Sequence, residues 1–128
     1  MRIRGEIRLR RRMESPGRTV LVVDDDASIR LLCRLNLELA GWSVHDAGTL
    51  QEARAELELH DIEVVLLDVH VGTASGLDFL DELRRERPRV KVALLTGSEH
   101  VGETASDGVI PKPFTLEQLT STMANLAG

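Results

Sequence analysis

Cysteine is nearly absent from this chain: Cys33 is the only one in 128 residues. An internal disulfide is therefore excluded, and Cys33 sits in an apolar helical pattern that suits a small buried hydrophobe better than a reactive thiol. Long hydrophobic runs are missing too. Stretches such as Val64 to Leu67 fall far short of the roughly 20 residues that a membrane helix needs, and the N-terminus shows no apolar stretch of the signal-peptide kind. The expectation is a cytoplasmic protein with no membrane segment. There is no internal repeat, no low-complexity tract, and no Gly-rich phosphate loop, since Asp26-Ala27-Ser28 follows the first apolar run; nucleotide binding is disfavoured accordingly.

Positive charge is scarce in the body of the chain. Residues 1–18 hold seven Arg and two Glu, a balance of +5, whereas residues 19–128 hold nine basic and nineteen acidic side chains, a balance of −10. Phosphate backbones are bound by clustered Lys and Arg, so a direct DNA-binding role of the body is not expected. The Arg-rich stretch 1–18 lacks steady periodicity and ends in Glu14-Ser15-Pro16-Gly17, a turn-rich boundary. It reads as a flexible basic extension; a start at Met13 or an arm touching an anionic partner are the other readings. Residues 19–128, in a chain that is 42% hydrophobic, suffice for one core and one domain.

From Thr19 onward short apolar runs alternate with amphipathic segments, the pattern of βαβ units and a parallel sheet. Strands are expected over Thr19 to Val23, Trp42 to Ala47, Ile62 to Leu67, Val90 to Leu95 and Gly108 to Ile110. Helical spacing links Ile29, Leu32, Cys33 and Leu37, then runs over Leu50 to Leu59 and Leu77 to Arg87. Gly41 is placed to end the first helix and Pro88 stops the third. A last helix opens at Thr115, with Gln118 positioned to complete a capping box and Phe114 and Leu119 a hydrophobic staple.

In open parallel α/β sheets the ligand site lies beyond the carboxyl ends of the strands. Those ends carry Asp24, Asp25 and Asp26 on the first strand, Asp68 on the third, Thr96 on the fourth and Lys112 just after the fifth. Gathered carboxylates repel unless a cation sits among them, and hard oxygen donors suit Mg2+. With such an ion, Asp68 is a candidate nucleophile toward phosphorus, while the Lys112 ammonium and Thr96 hydroxyl are candidates to bind the equatorial oxygens.

The segments Val20-Leu21-Val22-Val23-Asp24-Asp25-Asp26, Val64-Val65-Leu66-Leu67-Asp68, Leu94-Leu95-Thr96-Gly97 and Pro111-Lys112-Pro113-Phe114 resemble response-regulator receiver domains of two-component signalling, and the resemblance runs from about Thr19 to the C-terminus. It implies a flavodoxin-like α/β fold: a doubly wound, five-stranded parallel sheet of order 2-1-3-4-5. It further implies that Asp68 accepts a phosphoryl group from a histidine kinase or histidine phosphotransfer protein. Asp24, Asp25, Asp68 and the backbone carbonyl of His70 would hold Mg2+, Thr96 would contact the phosphoryl group, and Lys112 would precede a cis-prone Pro113. Gly76 stands where the family has its turn glycine. Such a domain is a phosphoacceptor with self-catalysed transfer and dephosphorylation, not an enzyme acting on a separate substrate.

Three departures from the family pattern stand out. Val109 occupies the place of the Tyr or Phe whose rotation reports phosphorylation. About six residues fewer than usual separate Thr96 from Lys112, so a fourth helix within 99–105 must be shortened or missing, and Gly102 weakens it further. Gly72 replaces a customary Pro and is expected to loosen the loop from Val69 to Ser75. On the first helix Leu31, Leu35 and Leu39 form a second apolar stripe, which suggests either a kinase-docking surface or wider burial. His45, His60 and His100 show no metal-like spacing and read as surface residues. The competing readings are a pseudo-receiver that binds partners without being phosphorylated, and a haloacid-dehalogenase-type phosphatase using Asp24-Asp25-Asp26; the latter leaves Asp68 without a role and has only Glu117 after Lys112. With no residues left after the last helix for an output domain, output to a downstream protein target is expected through protein contact, unless the chain is a fragment of a larger hybrid kinase.

Overall fold

Short runs of β-branched and leucine side chains that alternate between two faces need apolar cover on both sides, and the chain provides it with helices on each side of a central sheet. The computed structural model describes residues 18–97 and 105–127. Along it come β1 (Thr19–Val23), α1 (Ala27–Leu39), β2 (Ser43–Ala47), α2 (Leu50–Leu59), β3 (Val64–Asp68), β4 (His70–Val71), β5 (Ala74–Ser75), α3 (Gly76–Glu86), β6 (Lys91–Thr96), β7 (Gly108–Pro111) and α4 (Leu116–Leu126). The main sheet is parallel with order β2-β1-β3-β6-β7. Setting aside the small β4–β5 hairpin, this is the expected five-stranded order 2-1-3-4-5.

The two faces of each strand feed two cores. Leu21, Val23, Val65, Leu67 and Leu94 pack with Ala53 and Leu57 of α2 and Phe79, Leu80 and Leu83 of α3. Val20, Val22, Leu66, Ala93 and Leu95 pack on the other side with Cys33 and Leu37 of α1 and Leu119 and Met123 of α4. Cys33 is wholly enclosed, and burial pushes its thiol up to about 12, in keeping with an inert packing role.

Local chemistry ends the helices where the sequence indicates. The Asp26 side chain caps α1 through the amides of Ser28 and Ile29. At the far end the Gly41 amide donates to Glu38 O and the Trp42 amide to Leu37 O, the paired bonds of a Schellman cap. The Thr115–Gln118 capping box forms on α4, and Phe114 packs against the cluster that holds Leu119.

Two expectations change, and a third falls mostly outside the described residues. Leu32 is not part of the inward stripe of α1; at 40% exposure it joins Leu31, Leu35 and Leu39, which are 56%, 53% and 87% exposed. Among the described residues, then, that face is not buried. The loop after Asp68 is folded, not loose: His70 pairs with Ser75 and Val71 with Ala74 around Gly72-Thr73. Gly72 has φ +63°, and a positive φ at the first central position is what a two-residue II′ hairpin turn requires, so the glycine that replaces proline makes a turn. Finally, the expected shortened fourth helix falls mostly outside the described residues, as do residues 1–17 of the basic extension and His100. What is visible of that connection, residues 105–107, is tied to α3: Arg84 donates to the Ala105 carbonyl, to Val90 O at 3.0 Å and to Asp107 Oδ2 at 2.6 Å. Asp107 Oδ2 also accepts from the Val92 amide at 2.8 Å. Sequence patterning gave no hint of this tie. Among the described residues no helix is long and apolar enough to cross a membrane.

Candidate functional site

Strand order reverses between β1 and β3, because β1 continues to β2 on one side and to β3 on the other. At such a switch point the two outgoing chain segments diverge and leave a crevice at the carboxyl ends of the strands. Asp24 leaves β1 there and Asp68 closes β3. Asp24 is fully enclosed, Asp68 is 9% exposed and Thr96, at the end of β6, is 3% exposed. Asp25 points to solvent. One carboxylate oxygen from each of Asp24, Asp25 and Asp68 lies within 4.8 Å of the others.

Lys112, just beyond β7, completes the cluster. Its Nζ stands 3.0 Å from Asp24 Oδ2 and 3.3 Å from Asp68 Oδ2, bridging carboxylates from two strands. Burial alone would lower the pKa of this ammonium, but the hydrogen bond and charge of Asp24 and the charge of Asp68 outweigh it and raise the value. Asp24 moves up as well: burial is the leading cause, helped by the Asp68 charge and opposed by the Asp26 amide and by Lys112. The Lys112–Pro113 peptide is cis, and the Lys112 amide donates to Thr96 O at 2.7 Å, which joins the β6 and β7 ends.

Backbone contacts fix the carboxylates. Asp24 Oδ1 accepts from the Asp26 amide at 2.9 Å, and Asp68 Oδ1 accepts from the His70 amide at 3.3 Å. The His70 residue itself is exposed. Gly76 passes so close beneath Asp68 that a Cβ built on it would stand 2.1 Å from the Asp68 carbonyl oxygen and 2.9 Å from that of Val69. Only glycine fits this approach. Its amide donates to Val69 O at 2.6 Å, pinning the start of α3 to the end of β3.

Of the residues singled out from sequence, Asp24, Asp25, Asp68 and Lys112 meet in one cluster, with Thr96 at the adjoining strand end. Asp26 separates from them as a helix cap. Arg30 was missed: its Nη1 donates to the Asp24 carbonyl at 2.7 Å, steadying the turn from the α1 side. An arginine one turn into the helix after an acidic run is the only sequence signal it gives. His45 and His60 are not plain surface residues. Both are half-buried and their rings stack at 3.8 Å.

The sequence model described as "Response regulator receiver domain" matches residues 20–124. The chain belongs to this family. Among curated proteins, this receiver domain is 37% identical over 115 residues to the probable transcriptional regulatory protein TcrX of Mycobacterium tuberculosis, covering 85% of the chain and 49% of TcrX. It spans about half the length, or less, of the curated relatives it matches. Among solved structures, the chemotaxis response regulator CheY4 of Vibrio cholerae superposes with a TM-score of 0.79 at 26% identity, over 85% of this chain and 98% of CheY4. The response regulator TrrA of Thermotoga maritima, solved in complex with Mg(2+)-BeF, gives 0.78 at 27% identity, over 85% and 98% of the two chains.

Proposed function

We propose that this receiver domain takes a phosphoryl group from a histidine kinase or histidine phosphotransfer protein onto Asp68, and passes the signal on by contact with a downstream protein in the cytoplasm. The observation that carries the reading is Lys112 Nζ held between Asp24 and Asp68, at 3.0 and 3.3 Å, in the crevice where strand order reverses. A fixed ammonium beside a carboxylate nucleophile is the arrangement that phosphoryl transfer needs, because catalysis there is mostly positioning and charge compensation.

In the transfer, an Asp68 carboxylate oxygen attacks phosphorus, a P–O bond forms, and the P–N bond to the donor imidazole breaks with its electron pair returning to that nitrogen. Lys112 compensates charge on the transferring group, and the Thr96 hydroxyl, at the neighbouring strand end, is assigned to one of its oxygens. The clustered oxygens of Asp24, Asp25 and Asp68 are the hard donors that Mg2+ prefers, and with the His70 carbonyl they would hold the ion. When bound, Mg2+ supplies charge neutralisation among the carboxylates and toward the phosphoryl oxygens. That TrrA was solved with Mg(2+)-BeF supports this assignment.

The exposed Leu31, Leu35 and Leu39 of α1 offer an apolar stripe on the helix that starts at the site and are the proposed kinase-docking face. The phosphatase alternative is weakened by Glu117, which lies exposed in the first turn of α4, away from the strand-end carboxylates. The pseudo-receiver alternative draws on Val109, 47% exposed on β7 where a rotating aromatic would stand. The deciding experiment is transfer from a phosphorylated histidine donor protein. Wild type should take up label and Asp68→Asn should not. Leu35→Arg should slow transfer from the cognate donor about tenfold while leaving uptake from a small phosphodonor unchanged. Equal absence of label in wild type with every donor favours the pseudo-receiver.

A further inference from the structure

We infer that His45, Glu56 and His60 form a second metal site, one for a borderline transition-metal ion of the Zn2+ class, which clamps α2 to the edge strand β2. His45 comes from the middle of β2, while Glu56 and His60 lie one helical turn apart at the end of α2, with His60 as its C-cap residue. One donor atom from each lies within 4.8 Å of the other two.

The geometry has the right scale for a small ion. Glu56 Oε2 and His60 Nε2 are 3.3 Å apart, which is the edge of a tetrahedron whose ligand distances are about 2.0 Å, the usual Zn–N and Zn–O lengths. The two imidazoles lie face to face, 3.8 Å between centroids and 21° between planes; because the nitrogen lone pairs lie in the ring planes, the packing brings the two rings together and binding one ion turns one of them about its side-chain bonds. Glu56 Oε2 is closed off from solvent and accepts no hydrogen bond, since its approach to His60 is close without being aligned. A carboxylate oxygen taken from water without a directed partner is costly. A coordinated cation would satisfy it.

Donor chemistry separates this site from the acidic crevice. Two imidazoles and one carboxylate suit Zn2+ and its neighbours, whereas Mg2+ prefers an all-oxygen shell. Three protein donors leave a fourth position for water, and all three residues are half-exposed, so an ion can enter. β2 is an outer strand of the sheet, and sheet edges are where a fold gains from being held down. The clamp lies close to the signalling site along the chain: Ala47, two residues after His45, accepts the Asp24 amide at 3.1 Å.

The test titrates the untagged full chain, saturated with Mg2+, with Zn2+ by calorimetry and with Co2+ by visible absorption, while the imidazole resonances are followed by NMR. The expected result is one equivalent of Zn2+, kept in Asp68→Asn and weakened at least about tenfold in His45→Ala and in His60→Ala, with Zn2+ raising the melting temperature of wild type and not of a variant carrying both His45→Ala and His60→Ala. Circular dichroism checks that the variants fold, and perturbation of the His45 and His60 resonances in wild type reports on the site without any substitution. Zn2+ uptake that survives both histidine changes and disappears in Asp68→Asn would assign the ion to the acidic crevice and overturn the proposal. So would no uptake in the presence of Mg2+, or Zn2+ binding that leaves both imidazoles unmoved.

Discussion

At the carboxyl ends of β1 and β3 the backbone and side chains are held on several sides. Asp24 is fixed by the Asp26 amide and Lys112, its carbonyl by Arg30, and Asp68 by the His70 amide, by Lys112 and by the close passage of Gly76. Toward the β7 edge of the sheet, the described part of the β6–β7 connection is held by one arginine from α3 and by the Asp107–Val92 hydrogen bonds, and β7 shows a small exposed Val109. Under the proposed function, the contrast makes the reaction and its readout separable: charged groups at the strand ends would fix the chemistry, while the side chain at Val109 and the β6–β7 connection would bear on its transmission.

The comparison is broken most severely by Lys112→Ala. It leaves two carboxylates facing each other without their bridging ammonium, and the rate of phosphoryl uptake from a small donor should fall about 100-fold or more. Next, Gly76→Ala forces a methyl group toward a backbone oxygen that cannot yield, and should destabilise the domain by about 3 kcal/mol in chemical denaturation. The matched change Gly108→Ala on β7 meets only side chains, Thr122 at 3.3 Å and Leu126 at 3.8 Å, and should cost less than about 1 kcal/mol. Arg84→Ala removes the tie to residues 105–107 and should cost about 1–2 kcal/mol while leaving phosphoryl uptake within about twofold of wild type. An uptake defect as large as that of Lys112→Ala would show that the two regions are coupled after all.

The smallest effect concerns pH. Because burial raises Asp24, the folded protein binds more protons than the unfolded chain between the ordinary aspartate value of 3.8 and the raised one. Stability contributed by this group is full below 3.8 and is lost as pH rises through the raised value. Metal-free wild type should therefore lose stability over that interval relative to Asp24→Asn, which should melt a few degrees higher at neutral pH, about 4 °C corresponding to ~1 kcal/mol in a domain of this size. Added Mg2+ should reverse the order.

Much of this was legible before any coordinates. The alternation of Val20-Leu21-Val22-Val23 and Val64-Val65-Leu66-Leu67 with amphipathic stretches announces a parallel sheet, since only strands covered on both faces are apolar throughout. Polar groups at the strand ends then become site candidates by topology alone, and Asp24, Asp68 and Lys112 do meet. What escaped was set by contacts between elements. Leu32 belongs by periodicity to the inner stripe of α1, yet the helix is rotated so that Cys33 and Leu37 face the sheet and Leu32 does not. Gly72 reads as a loosening substitution until its partners across the hairpin are known. His45 lies eleven residues from Glu56 and fifteen from His60 in sequence, and only the packing of α2 on β2 brings them together. Arg84 and Asp107 likewise carry no local pattern.

The central claim, that Asp68 is a phosphoacceptor served by the acidic cluster, is tested most directly by incubating the full chain with acetyl phosphate and following its intact mass. The account predicts the gain of a single phosphoryl group that requires Mg2+ and is absent in Asp68→Asn. No gain in wild type with Mg2+ present, or an equal gain in Asp68→Asn, would contradict it.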